Sequence, residues 1–157
     1  IDAALADLEA MRRREGAVLL AECRRALAGL ADLRTRMEAV AAARLEPWRA
    51  ALLRRVEEAL AGRAEVSPQD LLREVVLHAD RIDVREELVR LGSHLAQLEA
   101  LLDGDAPLGK RIEFLLQEVG RELNTTGSKA NDAALTALVC EAKHLAEQLR
   151  EQVANVL

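Results

Sequence analysis

Four residues recur along one strip of a helical segment: Asp83, Glu87, Arg90 and His94, at spacings of four, three and four, with Glu86 at the flank. Two carboxylates and an imidazole within reach of one another are the groups that general acid/base chemistry or a divalent metal would use. The plainer reading of the same strip is a solvated ladder of ion pairs. A second carboxylate pair, Glu118 and Glu122, stands four apart, with Arg121 at the right spacing to pair with Glu118. A single such pair is common on solvated helices. The run Asn124-Thr125-Thr126-Gly127-Ser128-Lys129 adds hydroxyls, a glycine able to take φ > 0, and a lysine just ahead of another helix. It reads as a polar elbow in which Ser128, Lys129 and free N–H groups can hold a phosphate. It is not a Walker P-loop, because the first glycine and the preceding strand are missing. Near the start, Arg12 and Glu15 stand on an otherwise apolar stripe beside Gly16, which would let another backbone or a ligand come close. They read either as an ion pair that fixes helix register or as a functional pair in a cleft.

Helices must position these groups. At about 100° per residue, Ile112, Leu115, Leu116, Val119 and Leu123 fall on one face of a helix entered at Gly109. Arg111, Phe114, Gln117, Glu118 and Arg121 project opposite, so Phe114 sits among charges, a place that suits a subunit contact better than base stacking. Residues 1 to about 43 carry Leu5, Leu8, Leu19, Cys23, Ala26, Leu30, Leu33 and Met37 on one stripe, which predicts a helix of roughly 65 Å. Pro47 is expected to start a second helix ending near Gly62, with Trp48 as a packing anchor. A linker over 64–70 follows, with Ser67 as N-cap and Pro68 at the first helical position. The third helix, about 68 to 103, has Leu77, Val84, Leu88, Leu91, Leu95, Leu98 and Leu102 as its core line, and 103–107 is a turn. The last helix, about 131 to 155, begins at Ser128 or Asn131, buries Leu135, Leu138, Val139, Ala142, Leu145, Leu149, Val153 and Val156, and leaves His144 exposed. The expected fold is all-α with about five helices: a long helical hairpin over 1–62 and a helical bundle over 63–157.

Composition agrees. The chain has 157 residues, half of them hydrophobic, yet Trp48 and Phe114 are its only aromatics, which is the balance of long helices and leaves little to build a sheet from. A formal charge of −5 argues against a uniformly basic surface, so any contact with nucleic acid must come from a local patch. Cys23 and Cys140 lack a zinc-site spacing and read as reduced core filler. No apolar run reaches the roughly eighteen residues of a membrane span and no signal-peptide pattern opens the chain, so a cytoplasmic setting fits.

The run from Gly109 through Lys110, Arg111, Ile112, Glu113, Phe114, Leu115, Leu116, Gln117, Glu118, Val119, Gly120, Arg121, Glu122, Leu123 and Asn124 to Lys129 resembles the signature of the YicC family of bacterial RNA-cleaving proteins. Further segments agree: Asp83 to His94, Arg150 to Asn155, and Met11 to Gly16. The departures are Glu113 where Asp is usual, Gly120 where Asn is usual, and Val89 where Asp is common. The resemblance implies the carboxy-terminal part of a longer protein, with the family's amino-terminal domain ahead of the first helix. It implies an RNA-binding endoribonuclease, cleaving single-stranded or structured RNA in RNA turnover, that assembles as a ring-like homo-oligomer, hexameric in the family, alongside an RNA-degradation partner. On this reading Glu87, His94, Glu118 and Glu122 are the acid/base candidates. Arg12, Arg90, Arg121, Lys129, Ser128 and Asn124 are the candidates for contact with RNA phosphate. Asp83, Glu87, Glu118 and Glu122 are the metal candidates, for Mn²⁺ or Mg²⁺. The acidic balance and the ordinary amphipathic periodicity favour another reading, a non-catalytic oligomerisation or adaptor module that presents RNA to a separate nuclease. A third leaves the chemistry to the amino-terminal domain.

Overall fold

The computed structural model describes residues 2–60, 68–103 and 109–156. Among them are five helices and no strand: α1 (Asp2–Leu60), α2 (Pro68–Ile82), α3 (Arg85–Leu102), α4 (Gly109–Lys129) and α5 (Ala133–Val156). The all-α expectation therefore holds. Pro68 opens α2 as expected, while the rest of the linker with its Ser67 cap, the turn over 104–107 and the side chain of Val156 lie outside the described residues.

Apolar periodicity explains the packing. In α1, Cys23, Leu27, Leu30, Leu33 and Met37 recur at helical spacing and are buried; in α4, Ile112, Leu115, Leu116, Val119 and Leu123 do the same. These stripes meet Leu88, Leu91, Leu95 and Leu98 of α3 and Leu135, Val139, Ala142 and Leu149 of α5 in one continuous cluster. Contacts run in a closed circuit from α1 to α5, α4, α3 and back to α1, so the middle of α1 shares a core with the helices that carry the polar strips. As expected, Trp48 packs, its ring stacked on His78 of α2 at 4.3 Å between centroids. Cys23 is core filler as expected, its thiol pushed up by burial and then by the charge of Glu22, but Cys140 is exposed. His144 is exposed, as expected.

Three expected boundaries differ. Among the described residues the hairpin expected over 1–62 is absent, because α1 runs from Asp2 to Leu60 through Pro47. Proline's φ is helical, and the strong helix formers around it carry the helix on despite the lost N–H and the crowding of its ring against the preceding turn. The third helix is two helices, broken at Asp83 and Val84. There Asp83 Oδ1 accepts the backbone N–H of Arg85 at 2.9 Å, and Val84 leaves the helical region at φ −118° and ψ 9°. An aspartate that bonds its own backbone competes with the helix ladder.

The third difference is the elbow at 124–129, which is helical to its end. Thr125 donates to the Arg121 carbonyl at 3.1 Å, Thr126 to that of Glu122 at 2.8 Å and Ser128 to that of Thr125 at 2.8 Å. The hydroxyls fold back on the helix that carries them. Gly127 is needed for closeness and not for a left-handed backbone, since a Cβ there would lie 3.2 Å from Val139 Cγ1 of α5. The chain turns two residues later, at Asn131 with φ 40°, a conformation asparagine tolerates. Asp132, not Ser128 or Asn131, caps α5 by accepting the Leu135 N–H at 2.8 Å.

The start of α1 differs from its stripe as well. Leu5 and Leu8 are exposed together with Met11 and Val18, and Leu77 of α2 is exposed although it stood on the expected core line. Within the core, Leu123→Ala should lower stability by about 2–5 kcal/mol, because the side chain is wholly buried and its removal leaves a cavity. Phe114→Ala, at an exposed position, should stay within about 0.5 kcal/mol. Denaturant unfolding of the two variants checks both values.

Candidate functional site

The polar strips of α3 and α4 face each other across the bundle. Helical spacing puts Glu87, Arg90 and His94 on one side of α3, and Glu118 and Glu122 on the matching side of α4, beside the apolar stripes that pull the two helices together. Arg90 joins them: its Nε donates to Glu122 Oε1 at 2.8 Å and its Nη2 to Oε2 at 3.0 Å, the two-pronged geometry that guanidinium and carboxylate share. Arg90 also pairs with Glu86 and lies 3.6 Å from Glu87 Oε1. The Glu122 hydrogen bonds strengthen its hold on its proton, and burial works against them. Lys129, in the last turn of α4, reaches Glu87 Oε1 at 2.7 Å. Arg121 rests 3.4 Å from Glu118 Oε2 at the spacing the sequence suggested.

Glu87 and Glu122 are each 3% exposed. A buried carboxylate is costly unless cations and donors meet it, so the Lys129 and Arg90 contacts are what make those positions tenable. The solvated-ladder reading does not describe them. Two atoms nevertheless stay open: Glu87 Oε2 and His94 Nδ1 are buried with no hydrogen-bond partner.

Beyond Arg90, three residues converge. One ligand atom each from His94, Glu118 and Glu122 lies within 4.8 Å of the others. An imidazole nitrogen with two carboxylates is a donor set that suits Mn²⁺ and accommodates Mg²⁺, and an unpartnered imidazole nitrogen is consistent with it. Glu122 already accepts two bonds from Arg90, but each carboxylate oxygen keeps a further lone pair. The residues present therefore fit a divalent ion.

Other candidates lie apart. Asp83 and Glu87 are outside this donor group. Asp83 sits in the helix break, where the hydrogen bond from Arg85 holds its carboxyl below the usual carboxylate range against the opposing effect of burial. Arg12 is exposed in the uncovered start of α1, Glu15 is exposed beside it, and Gly16 has open space around it where a close approach was expected. Ser128 is exposed with its hydroxyl committed to the Thr125 carbonyl. Asn124 lines a small hollow between α4 and α5 with Gly120, Lys143 and Arg150. The three departures from the signature, Val89, Glu113 and Gly120, stand at exposed or open positions and leave the cluster untouched. Sequence reasoning passed over Arg44, although it stands two residues before Glu46 and directly after a run of alanine and valine over 39–43. Its guanidinium donates to the Ile82 and Ala130 carbonyls beside the site.

A family model described as "Endoribonuclease YicC-like, C-terminal" matches residues 37–157. The chain is 35% identical over 156 residues to the probable endoribonuclease YicC of Clostridioides difficile (strain 630), an alignment that covers 99% of this chain and 53% of that protein. It is 38% identical over 159 residues to the probable endoribonuclease YicC of Haemophilus influenzae, again covering 99% and 53%. The chain thus spans about half the length of the curated relatives it matches.

Two outcomes test the electrostatics. Lys129→Met leaves Glu87 with only the longer Arg90 contact and should destabilise by about 1–3 kcal/mol at neutral pH, read from denaturant midpoints. Asp83→Ala should remove about 1 kcal/mol at neutral pH through the lost contact to the Arg85 backbone. Because the folded-state value of Asp83 is depressed, its contribution is fully present above the ordinary carboxylate value and disappears as pH falls through the lowered one. The stability gap between wild type and D83A should therefore close on acidification, as followed by unfolding at successive pH values.

Proposed function

The chain belongs to the YicC-like endoribonuclease family, and on that footing we propose that it takes part in cleavage of RNA phosphodiester bonds, with the α3–α4 cluster as the reacting centre. The observation that carries the reading is the approach of His94, Glu118 and Glu122 to within 4.8 Å on two helices, with Arg90 paired to Glu122, Arg121 to Glu118, and Lys129 further along the strip at Glu87.

RNA strand cleavage needs a proton acceptor for the attacking hydroxyl, a proton donor for the leaving oxygen and positive charge for the phosphorane. Glu118 and His94 are the partly exposed members of the set and are suited to exchange a proton with RNA. Glu122 is buried and held by Arg90, which makes it an orienting group. Arg121, the most exposed of the three cations, is suited to meet a phosphate first. His94, Glu118 and Glu122 would hold the divalent ion, Mn²⁺ or Mg²⁺, which when bound stabilises charge on the phosphoryl oxygens. Charge supports that role. The cluster has Glu86, Glu87, Glu118 and Glu122 against Arg90, Arg121 and Lys129, one more carboxylate than cation, and a divalent ion would reverse the sign that a polyanion meets. RNA is the partner of this reading. Self-association is proposed with it, supported by the exposed Phe114.

Replacing His94 by Ala or Glu118 by Gln in the complete protein should slow cleavage of a single-stranded RNA by ~10²–10⁴-fold while circular dichroism stays native. Undiminished cleavage in both variants would sink the assignment. Chelation of divalent ions should abolish the activity if the three residues bind metal, whereas cleavage that persists in chelator assigns them acid/base work alone. RNA that is bound with salt-dependent affinity yet stays intact with and without Mn²⁺ would select the presenting module instead.

A further inference from the structure

Arg44 of α1 belongs to neither polar strip, yet it reaches both chain junctions at the end of the α3–α4 pair where Lys129 meets Glu87. Its Nη2 donates to the carbonyl of Ile82, the last residue of α2, and its Nη1 to the carbonyl of Ala130, the residue after α4. Burial lowers its hold on its proton, while the nearby charges of Asp132 and Asp83 act the other way. Lys129 directly precedes Ala130, and Glu87 lies in the first turn of α3 just past the break that follows Ile82. One guanidinium thus ties together the two junctions from which the Lys129–Glu87 bridge at 2.7 Å is built. Hollows of about 520 and 470 Å³ flank Arg44, which lines both. A planar fork aims separate nitrogens at carbonyls on separate chain segments, whereas a lysine ammonium presents its three donors from one atom and cannot span the same pair of positions.

We infer that Arg44 is a positioning residue: it holds the α2–α3 and α4–α5 junctions at the separation at which Lys129 meets Glu87, and through Glu87 it sets Arg90 and the His94, Glu118 and Glu122 cluster. The kinetic arm of its test rests on the proposed nuclease activity. The structural arm does not.

In the complete protein, a double-mutant cycle of Arg44→Ala and Lys129→Met is measured by denaturant unfolding. If Arg44 positions Lys129, the bridge is already weakened in R44A, and K129M should shift the midpoint there by less than about half of its shift in wild type. Arg150→Ala, which removes an exposed pair with Glu147, should remain additive with R44A. In RNA cleavage, R44A should lower kcat by ~10–100-fold with KM changed less than about twofold. Arg44→Lys should stay close to R44A, and millimolar guanidinium ion should restore part of the R44A rate but none of that of His94→Ala. Additive effects of R44A and K129M overturn the inference, and so does an unchanged kcat in R44A when wild type cleaves. Wild-type protein that leaves RNA intact overturns the proposed function, and the cycle alone then decides Arg44. Should R44A fail to fold, Arg44→Gln, which keeps a donor for one carbonyl, is held to the same criteria.

Discussion

A carboxylate can stay charged inside a helical bundle only if cations are brought to it, and this bundle buries two. Glu87 on α3 and Glu122 on α4 are almost wholly enclosed. Arg90 answers Glu122 with two parallel hydrogen bonds, and Lys129 answers Glu87 from the end of α4. The polar face of the α3–α4 pair follows from that demand. Arg90 must cross from α3 to α4, which orients Glu122 toward His94 and Glu118. Lys129 must reach back, which requires α4 to stay helical to its last residue. Ion pairs of this kind add little net stability compared with apolar packing, and what they supply is a defined arrangement of groups.

Helix ends are handled so that the arrangement can hold. Asp83 and Asp132 each bond the backbone at the start of the following helix, and both stand beside the guanidinium of Arg44. The two junctions are thereby drawn to one side of α1. The threonine and serine hydroxyls of α4 bond carbonyls of their own helix, so the segment that looks like a phosphate loop instead extends the helix that delivers Lys129. Gly127 contributes by having no side chain, which lets Val139 of α5 close against it.

The family to which the chain belongs and the geometry of its polar face are separate observations. Membership rests on similarity along residues 37–157 and says nothing of which groups meet. The convergence of His94, Glu118 and Glu122 comes from how two helices pack. An acidic chain with a locally excess carboxylate is a poor docking surface for RNA by charge alone.

The periodic parts of the chain were legible in advance. The faces of α4 and α5, the exposure of His144 and Phe114 and the pairing of Arg121 with Glu118 all follow from residues repeating at helical spacing, because a helix is a local structure and its faces are set by sequence separation. The break at Asp83 was legible too, since an aspartate followed three residues later by glutamate is a helix-start pattern, but the unbroken leucine line on either side outweighed it. Continuity through Pro47 was not, because a proline is well tolerated at a helix start and disfavoured in an interior, and here the helix formers on both sides offset that penalty.

By itself the sequence determined an all-helical chain, which side of most helices faces the core, and which acids, imidazole and guanidinium groups were left off that core. Tertiary structure alone decided that Arg90 would span to Glu122, that Lys129 would close on Glu87, that Asp83 and Arg12 would stand outside the cluster, and that Arg44 would bind two distant carbonyls. The reason is one of range. Propensity and periodicity act over a few residues, whereas a pair separated by 32, 42 or 86 positions exists only once the bundle has brought the segments together.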